Sequence, residues 1–144
     1  MAPLNDLQGG YPVASPVGYA GMEAEGQMVR DVASRVITTG PVAFGLAVGR
    51  GAGVDTARLG GVGFEGIAVA DKTRPADQYA VGEVAGVLRK GTIWVLAANT
   101  VAVGDPGTFT AATGVIGAGL VSSIPNSKFE TAGTVGQLVK LYIG

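Results

Sequence analysis

The sequence predicts an all-β fold, a sandwich or small β-barrel preceded by an extended N-terminal arm. Three observations carry that expectation. From Asp31 onward the apolar residues recur with a period of two, as in a strand with one face toward a core. Gly, Pro, Asp and Thr clusters interrupt this pattern at short, nearly regular intervals, as in sandwiches and barrels. With 25 Gly and 7 Pro in 144 residues, few windows of helical length escape a breaker. The length fits one domain able to bury a core without staples.

Residues 1–28 carry Pro3, Pro12 and Pro16 among scattered glycines and show no sustained apolar period. They read as the arm, and residues 29–144 as a single β domain. The arm's apolar points, Leu4, Leu7, Tyr11, Val13, Val17 and Tyr19, are too many for a solvated tail and too irregular for a core element. Such a segment is expected to lie on another surface. Tyr11 and Tyr19 beside prolines are the expected intermolecular aromatics, because tyrosine buries area at low entropic cost.

In the body, residues 32–38 form the first expected strand. Residues 42–48 form the next, with Val42, Phe44, Leu46 and Val48 on one side and small residues on the other. Further strands are expected at 64–70, 84–89, 92–97, 108–112, 115–121, 128–131 and 138–143. Turn signals separate them at Gly49–Gly53, Gly60-Gly61, Arg74-Pro75, Asp105-Pro106-Gly107 and Thr113-Gly114. Residues 75–79 could form a single helical turn. Val81-Gly82-Glu83 and Val103-Gly104-Asp105 repeat one pattern and read as similar strand-to-turn corners.

Residues 79–95 read as a hairpin turning at Lys90-Gly91, with Leu88 opposite Ile93, Val87 opposite Trp94 and Ala85 opposite Leu96. Both faces of that hairpin are apolar. One face can serve the domain's own core, and the other then calls for a second layer or a neighbouring subunit.

There is no cysteine and no histidine. Disulfides, thiolate and histidine metal sites, and the Ser-His and Cys-His nucleophilic systems are therefore excluded, and neither a metal nor a cofactor is expected. Ten basic and eleven acidic residues, scattered singly for a net charge of −1, provide no single-sign field for a nucleic acid. The apolar runs at 42–48 and 93–98 are too short to span a bilayer, so no membrane is expected. The N-terminus lacks the basic start and apolar middle of a secretory signal.

Residues 61–66 match GxGxxG, but a strand pattern follows where a dinucleotide site needs a helix, so the match reads as chance in a glycine-rich chain. The polar cluster Asp71-Lys72-Thr73-Arg74-Pro75-Ala76-Asp77 reads as a charged loop with local Asp71 and Thr73 hydrogen bonds. Its functional reading is a contact loop anchored by Arg74. A carboxylate hydrolase using Asp71 and Asp77 is a third reading. Arg89-Lys90 reads as a solvated turn, and Trp94 as core before ligand platform.

The blocks PLNDLQGGYPVASPVGYAGM, GFEGIAVADKTRPADQYAVGEVAGVLRKGTIWV, VGDPGTF and LVKLYIG resemble, in that order, the structural cement or capsid decoration proteins of tailed bacteriophages. The resemblance covers essentially the whole chain. It implies a small all-β body, jelly-roll-like in some members and a β-tulip in others, on the outer capsid surface of the virion. It implies no catalytic residues and no enzyme. It implies two kinds of partner: the major capsid protein, whose neighbouring copies it bridges, and further copies of itself as a homodimer or homotrimer. Synthesis in the host cytoplasm is expected. The interface residues expected from the arm, the polar loop and the hairpin are Leu4, Leu7, Tyr11, Pro12, Val13, Val17, Tyr19, Arg74 and Trp94. The alternative function is a receptor- or glycan-binding module with Trp94 and Tyr79 as an exposed platform.

Overall fold

A computed structural model describes residues 18–24, 30–61, 63–74 and 76–144. Every regular element among them is a strand: β1 (Asp31–Thr39), β2 (Val42–Ala43), β3 (Ala47–Arg50), β4 (Thr56–Leu59), β5 (Phe64–Ala68), β6 (Gln78–Tyr79), β7 (Val84–Leu96), β8 (Thr108–Phe109), β9 (Ile116–Gly117), β10 (Ser122–Ser123), β11 (Ser127–Phe129) and β12 (Leu138–Ile143). The all-β expectation is met by a small closed barrel with added strands.

The barrel runs β1-β4-β3-β5-β7 and closes by pairing β7 with β1; β1 and β4 are parallel, and the remaining pairs are antiparallel. Beyond the barrel β7 continues, and its second half pairs with β12, which in turn pairs with β11. A three-stranded sheet, β10-β8-β9, and the short ladder β2-β6 complete the body.

Alternate residues of the wall β3-β5-β7 enter two different cores. Val48, Ala68, Ala85 and Val87 join Ile37 from β1 and Ala57 from β4 inside the barrel, with Val42, Phe44 and Tyr79 in the same cluster. Their neighbours Ala47, Ile67 and Leu88 face outward and pack with Ile93, Val95, Phe109, Ile116, Phe129, Val139, Leu141 and Ile143. A barrel of so few strands is narrow, which accounts for three alanines inside it while the larger side chains fill the outer core.

The expected hairpin at Lys90-Gly91 does not form. Residues 84–96 are one strand of 13 residues. Its first half lies between β1 and β5, and its second half beside β12, so Leu88 and Ile93 are not cross-strand partners. The register with β1 slips between Lys90 opposite Asp31 and Leu88 opposite Val32. This bulge changes the parity of the strand: Leu88 precedes it and Ile93 and Val95 follow it, yet all three enter the outer core. Gly91, with φ of 126°, sits where the strand changes partners. The middle of both apolar faces thus serves two cores of the same chain, while Val84 and Leu96 at the two ends stay half-exposed.

Residues 42–48 are likewise interrupted, by a turn at Phe44-Gly45 that separates β2 from β3. The strand β4 lacks a clear apolar alternation and was not expected; its pairing with β1 and β3 makes it. The expected strands at 108–112 and 115–121 shrink to two residues each. The region of the expected helical turn contains β6 instead.

Gly66 is required by close approach of strands. A Cβ there would lie 2.3 Å from the Val87 side chain and 2.5 Å from the Leu88 carbonyl oxygen. Gly66→Ala is expected to cost about 1–3 kcal/mol through overpacking. Gly86→Ala, whose Cβ would meet nothing closer than 3.6 Å, is the control and is expected to be neutral or slightly stabilising. Urea unfolding midpoints of the two variants check the difference.

Candidate interaction surface

The end of the stretch assigned to the arm is built into the body. Gly21 N–H donates to the Trp94 carbonyl (2.8 Å), Trp94 N–H to that of Met22 (2.9 Å) and Ala24 N–H to that of Thr92 (2.9 Å). Residues 21–24 therefore occupy the edge of β7 opposite β12. Gly21 also accepts from Ala70 N–H, and Gly18 passes against the Trp94 ring, where a Cβ would lie 3.0 Å away. Trp94 is 8% exposed, with Lys140 Nζ 5.4 Å from its ring centroid. Leu4, Leu7, Tyr11, Pro12, Val13 and Val17 lie outside the described residues.

Tyr19 is 39% exposed, and Lys72 Nζ lies 3.9 Å from its ring centroid, a close cation–π contact. Two residues further along the same loop is Arg74, so the fold brings these two expected interface residues to one place. Arg74 pairs with Glu83 and with Asp71 (3.3 Å), donates to the Val84 carbonyl (3.3 Å), and lies over Tyr79. Asp71 accepts from the hydroxyl (2.6 Å) and the N–H (3.0 Å) of Thr73, as the loop chemistry predicts. These bonds hold its carboxyl below the usual carboxylate range, the Thr73 hydroxyl contributing most. Asp77 ion-pairs instead with Lys72 at 3.7 Å.

Tyr79 is buried at 3% exposure, donates to the Val69 carbonyl at 2.6 Å and stacks edge-on against Phe44. Burial pushes its phenol above the usual tyrosine range. The platform of Trp94 and Tyr79 expected for a glycan site is therefore not an exposed one. Both rings are covered by the chain itself.

A surface hollow of about 330 Å³ lies beside Arg74 and Glu83, and two others lie elsewhere on the body. One of about 280 Å³ lies where Arg35 is held by Glu65 (3.0 Å) and Asp55 (3.7 Å), beside the 50–56 turn. The other, about 200 Å³ and mostly apolar, is bordered by Ala20, Phe44, Leu46, Leu96 and Val115. Among the described residues no group of three or more His, Cys, Asp or Glu side chains could hold a metal.

The Val-Gly pattern recurs a third time at Val135-Gly136-Gln137, which sequence reasoning missed because an amide stands where the other copies have an acid. In the three turns, residues 80–83, 102–105 and 134–137, the last N–H donates to the first carbonyl (3.1, 3.1 and 3.0 Å). The last side chain, Glu83, Asp105 or Gln137, accepts from the first N–H (2.6, 2.9 and 2.8 Å). Each glycine N–H donates to a buried neighbour, Ile37, Phe129 or Ala97, at 2.8 Å, and that neighbour's N–H returns a bond to the last carbonyl at 2.8–3.0 Å.

The glycines have φ of 91°, 90° and 82°, as the third residue of a type II turn needs. A Cβ on any of them would meet nothing within 4 Å, so the dihedral, not space, selects glycine. The second residue is in every case an outward valine, 58%, 67% and 68% exposed.

The family described as structural cement protein (E217 gp24/Pam3 gp6) matches residues 7–144. A chain in the capsid of Myoviridae phage XM1 shares the fold, with a TM-score of 0.71 at 17% identity over 88% of this chain and 90% of that one. The N base of head fiber gp8.5 of bacteriophage phi29 aligns with a TM-score of 0.46 at 18% identity over 81% of this chain and 95% of that one. No curated protein sequence matches the chain.

If the three turns are one device, Gln137→Glu is expected to leave stability within about 0.5 kcal/mol of the parent, because Glu83 does the same work in the first copy. Gln137→Leu, which leaves Thr134 N–H without its acceptor, is expected to cost about 1 kcal/mol. Thermal unfolding of both variants at neutral pH checks this.

Proposed function

Because this chain belongs to the structural cement proteins of tailed bacteriophages, we propose that it binds the outer surface of the assembled head and holds neighbouring major capsid protein subunits together. The family match over residues 7–144 carries the reading. Cement proteins are capsid-associated structural components of the virion, and the remaining question is how this chain grips the shell.

The physical basis is linkage. A protein that binds the assembled shell but not its separated subunits stabilises the shell by its own binding free energy, about 2.7 kcal/mol per site when the free protein is a hundredfold above its dissociation constant. Repetition over the lattice multiplies that term. In this reading Leu4, Leu7, Tyr11, Pro12, Val13 and Val17 reach a shell subunit beyond the body, and Tyr19 and Arg74 make contacts at the foot of that segment. Trp94 acts from below, as the buried base on which residues 18–22 rest.

The main-chain bonds between residues 21–24 and β7 separate two roles within the N-terminal stretch. Removing residues 1–17, which keeps those bonds, is expected to weaken binding to undecorated heads roughly a hundredfold, through lost avidity. Removing residues 1–26 is expected to lower the midpoint as well, because the β7 edge and Trp94 are then uncovered. Sedimentation with purified heads and thermal unfolding check the pair. Undiminished decoration by the 1–17 deletion would remove that segment from the interface.

A further inference from the structure

The two ends of β7 carry similar apolar surface. At its N-terminal end Val84 is 51% exposed, its registered partner Val36 on β1 is 38% exposed, and Val81 at 58% caps the adjoining turn, which is bonded to Ile37. At the C-terminal end Leu96 is 51% exposed, and Val135 at 68% caps the turn bonded to Ala97. Val103, 67% exposed, follows close by, since Val101 and Gly133 exchange both main-chain bonds (2.9 and 3.1 Å) between the two turns. A strand of 13 residues sets these ends at most roughly 40 Å apart.

We propose that these ends are two separate docking contacts, each seated on a different shell subunit, so that β7 is the bar of a two-ended clamp. The inference rests on the cementing role given above and names the surface that performs it. Turn geometry does not ask for valine: the second position of a type II turn accepts proline and most polar residues. Nor are these side chains on loose loops. Four hydrogen bonds already order each turn, so little conformational entropy remains to be lost when its valine is covered.

Area selects the occupant. Three half-exposed aliphatic side chains offer on the order of 200 Å² of apolar surface, against the roughly 800 Å² per partner of a stable isolated interface. One end alone is therefore too small to hold a soluble partner or a second copy of this chain. On a lattice that fixes two subunits at the right spacing, both ends engage together, and the second contact becomes intramolecular. Arg74, held by Glu83 and bonded to the Val84 carbonyl, forms a polar rim beside the first end.

The test uses the full chain and heads assembled without it. One variant carries Val36→Thr, Val81→Ser and Val84→Thr; a second carries Leu96→Thr, Val103→Ser and Val135→Ser; a third combines both sets. Each single-end variant is expected to bind heads at least roughly a hundredfold more weakly than the parent, and the combined variant to show no saturable binding. Should a triple set impair folding in a thermal melt, Val81→Ser and Val135→Ser alone, each expected to weaken binding several-fold, supply the reading. Parent-like binding by both single-end variants would overturn the clamp and leave the cementing role standing. Failure of the parent itself to bind would overturn both. A smaller oligomer of either variant in solution, seen by light scattering, would show that the patches join copies of this chain and would overturn the clamp.

Discussion

Along its middle the wall formed by β3, β5 and β7 has no solvent face, and the rest of the architecture follows from that constraint. Successive residues, Ala47 and Val48, Ile67 and Ala68, Val87 and Leu88, enter opposite cores. The wall can be satisfied only if the barrel closes on one side while the C-terminal strands cover the other. The barrel interior then has to accept small side chains, and Gly66 has to let β5 lie directly against β7. Burial on both faces normally belongs to parallel sheets covered by helices. Here an antiparallel wall achieves it with a second set of strands.

β7 links the two halves because it outlasts the barrel. Its first half closes the ring against β1, and its second half pairs with β12, which carries β11, while its other edge takes up residues 21–24. The bulge opposite Asp31 makes this possible by resetting which residues face the outer core. Residues 21–24 are thus bonded directly to the strand that lines both cores.

The surface departs from an ordinary solvated one in a specific way. Charges are few and balanced, and many are paired, between strands as in the Arg35 group and within a loop as in the Arg74 and Lys72 groups. The exposed aliphatic side chains include Val81, Val103 and Val135, on turns whose main-chain groups are bonded. An order imposed before binding lowers the entropic cost of contact. That combination suits association by shape and apolar fit in place of electrostatic steering.

Much of the fold was legible from local signals. The period of two and the glycine-rich punctuation specified an all-β body, the missing histidine and cysteine removed whole classes of chemistry, and ordered blocks pointed to the cement proteins. Two of the three Val-Gly turns were visible as a repeated pattern. The partner of each strand was not legible, since hydrophobic alternation states which face is buried and is silent on what buries it. For that reason residues 79–95, apolar on both sides, read as a hairpin needing a second layer or a neighbouring subunit; long-range pairing made residues 84–96 one strand between two cores. The same limit hid β4, whose strand state comes from β1 and β3, and it hid the burial of Tyr79, whereas the reading of Trp94 as core agrees with its 8% exposure. Local residue chemistry decided that strands and turns form; only tertiary pairing decided which surfaces remained for a partner, because exposure is a property of the assembled fold and of no short segment within it.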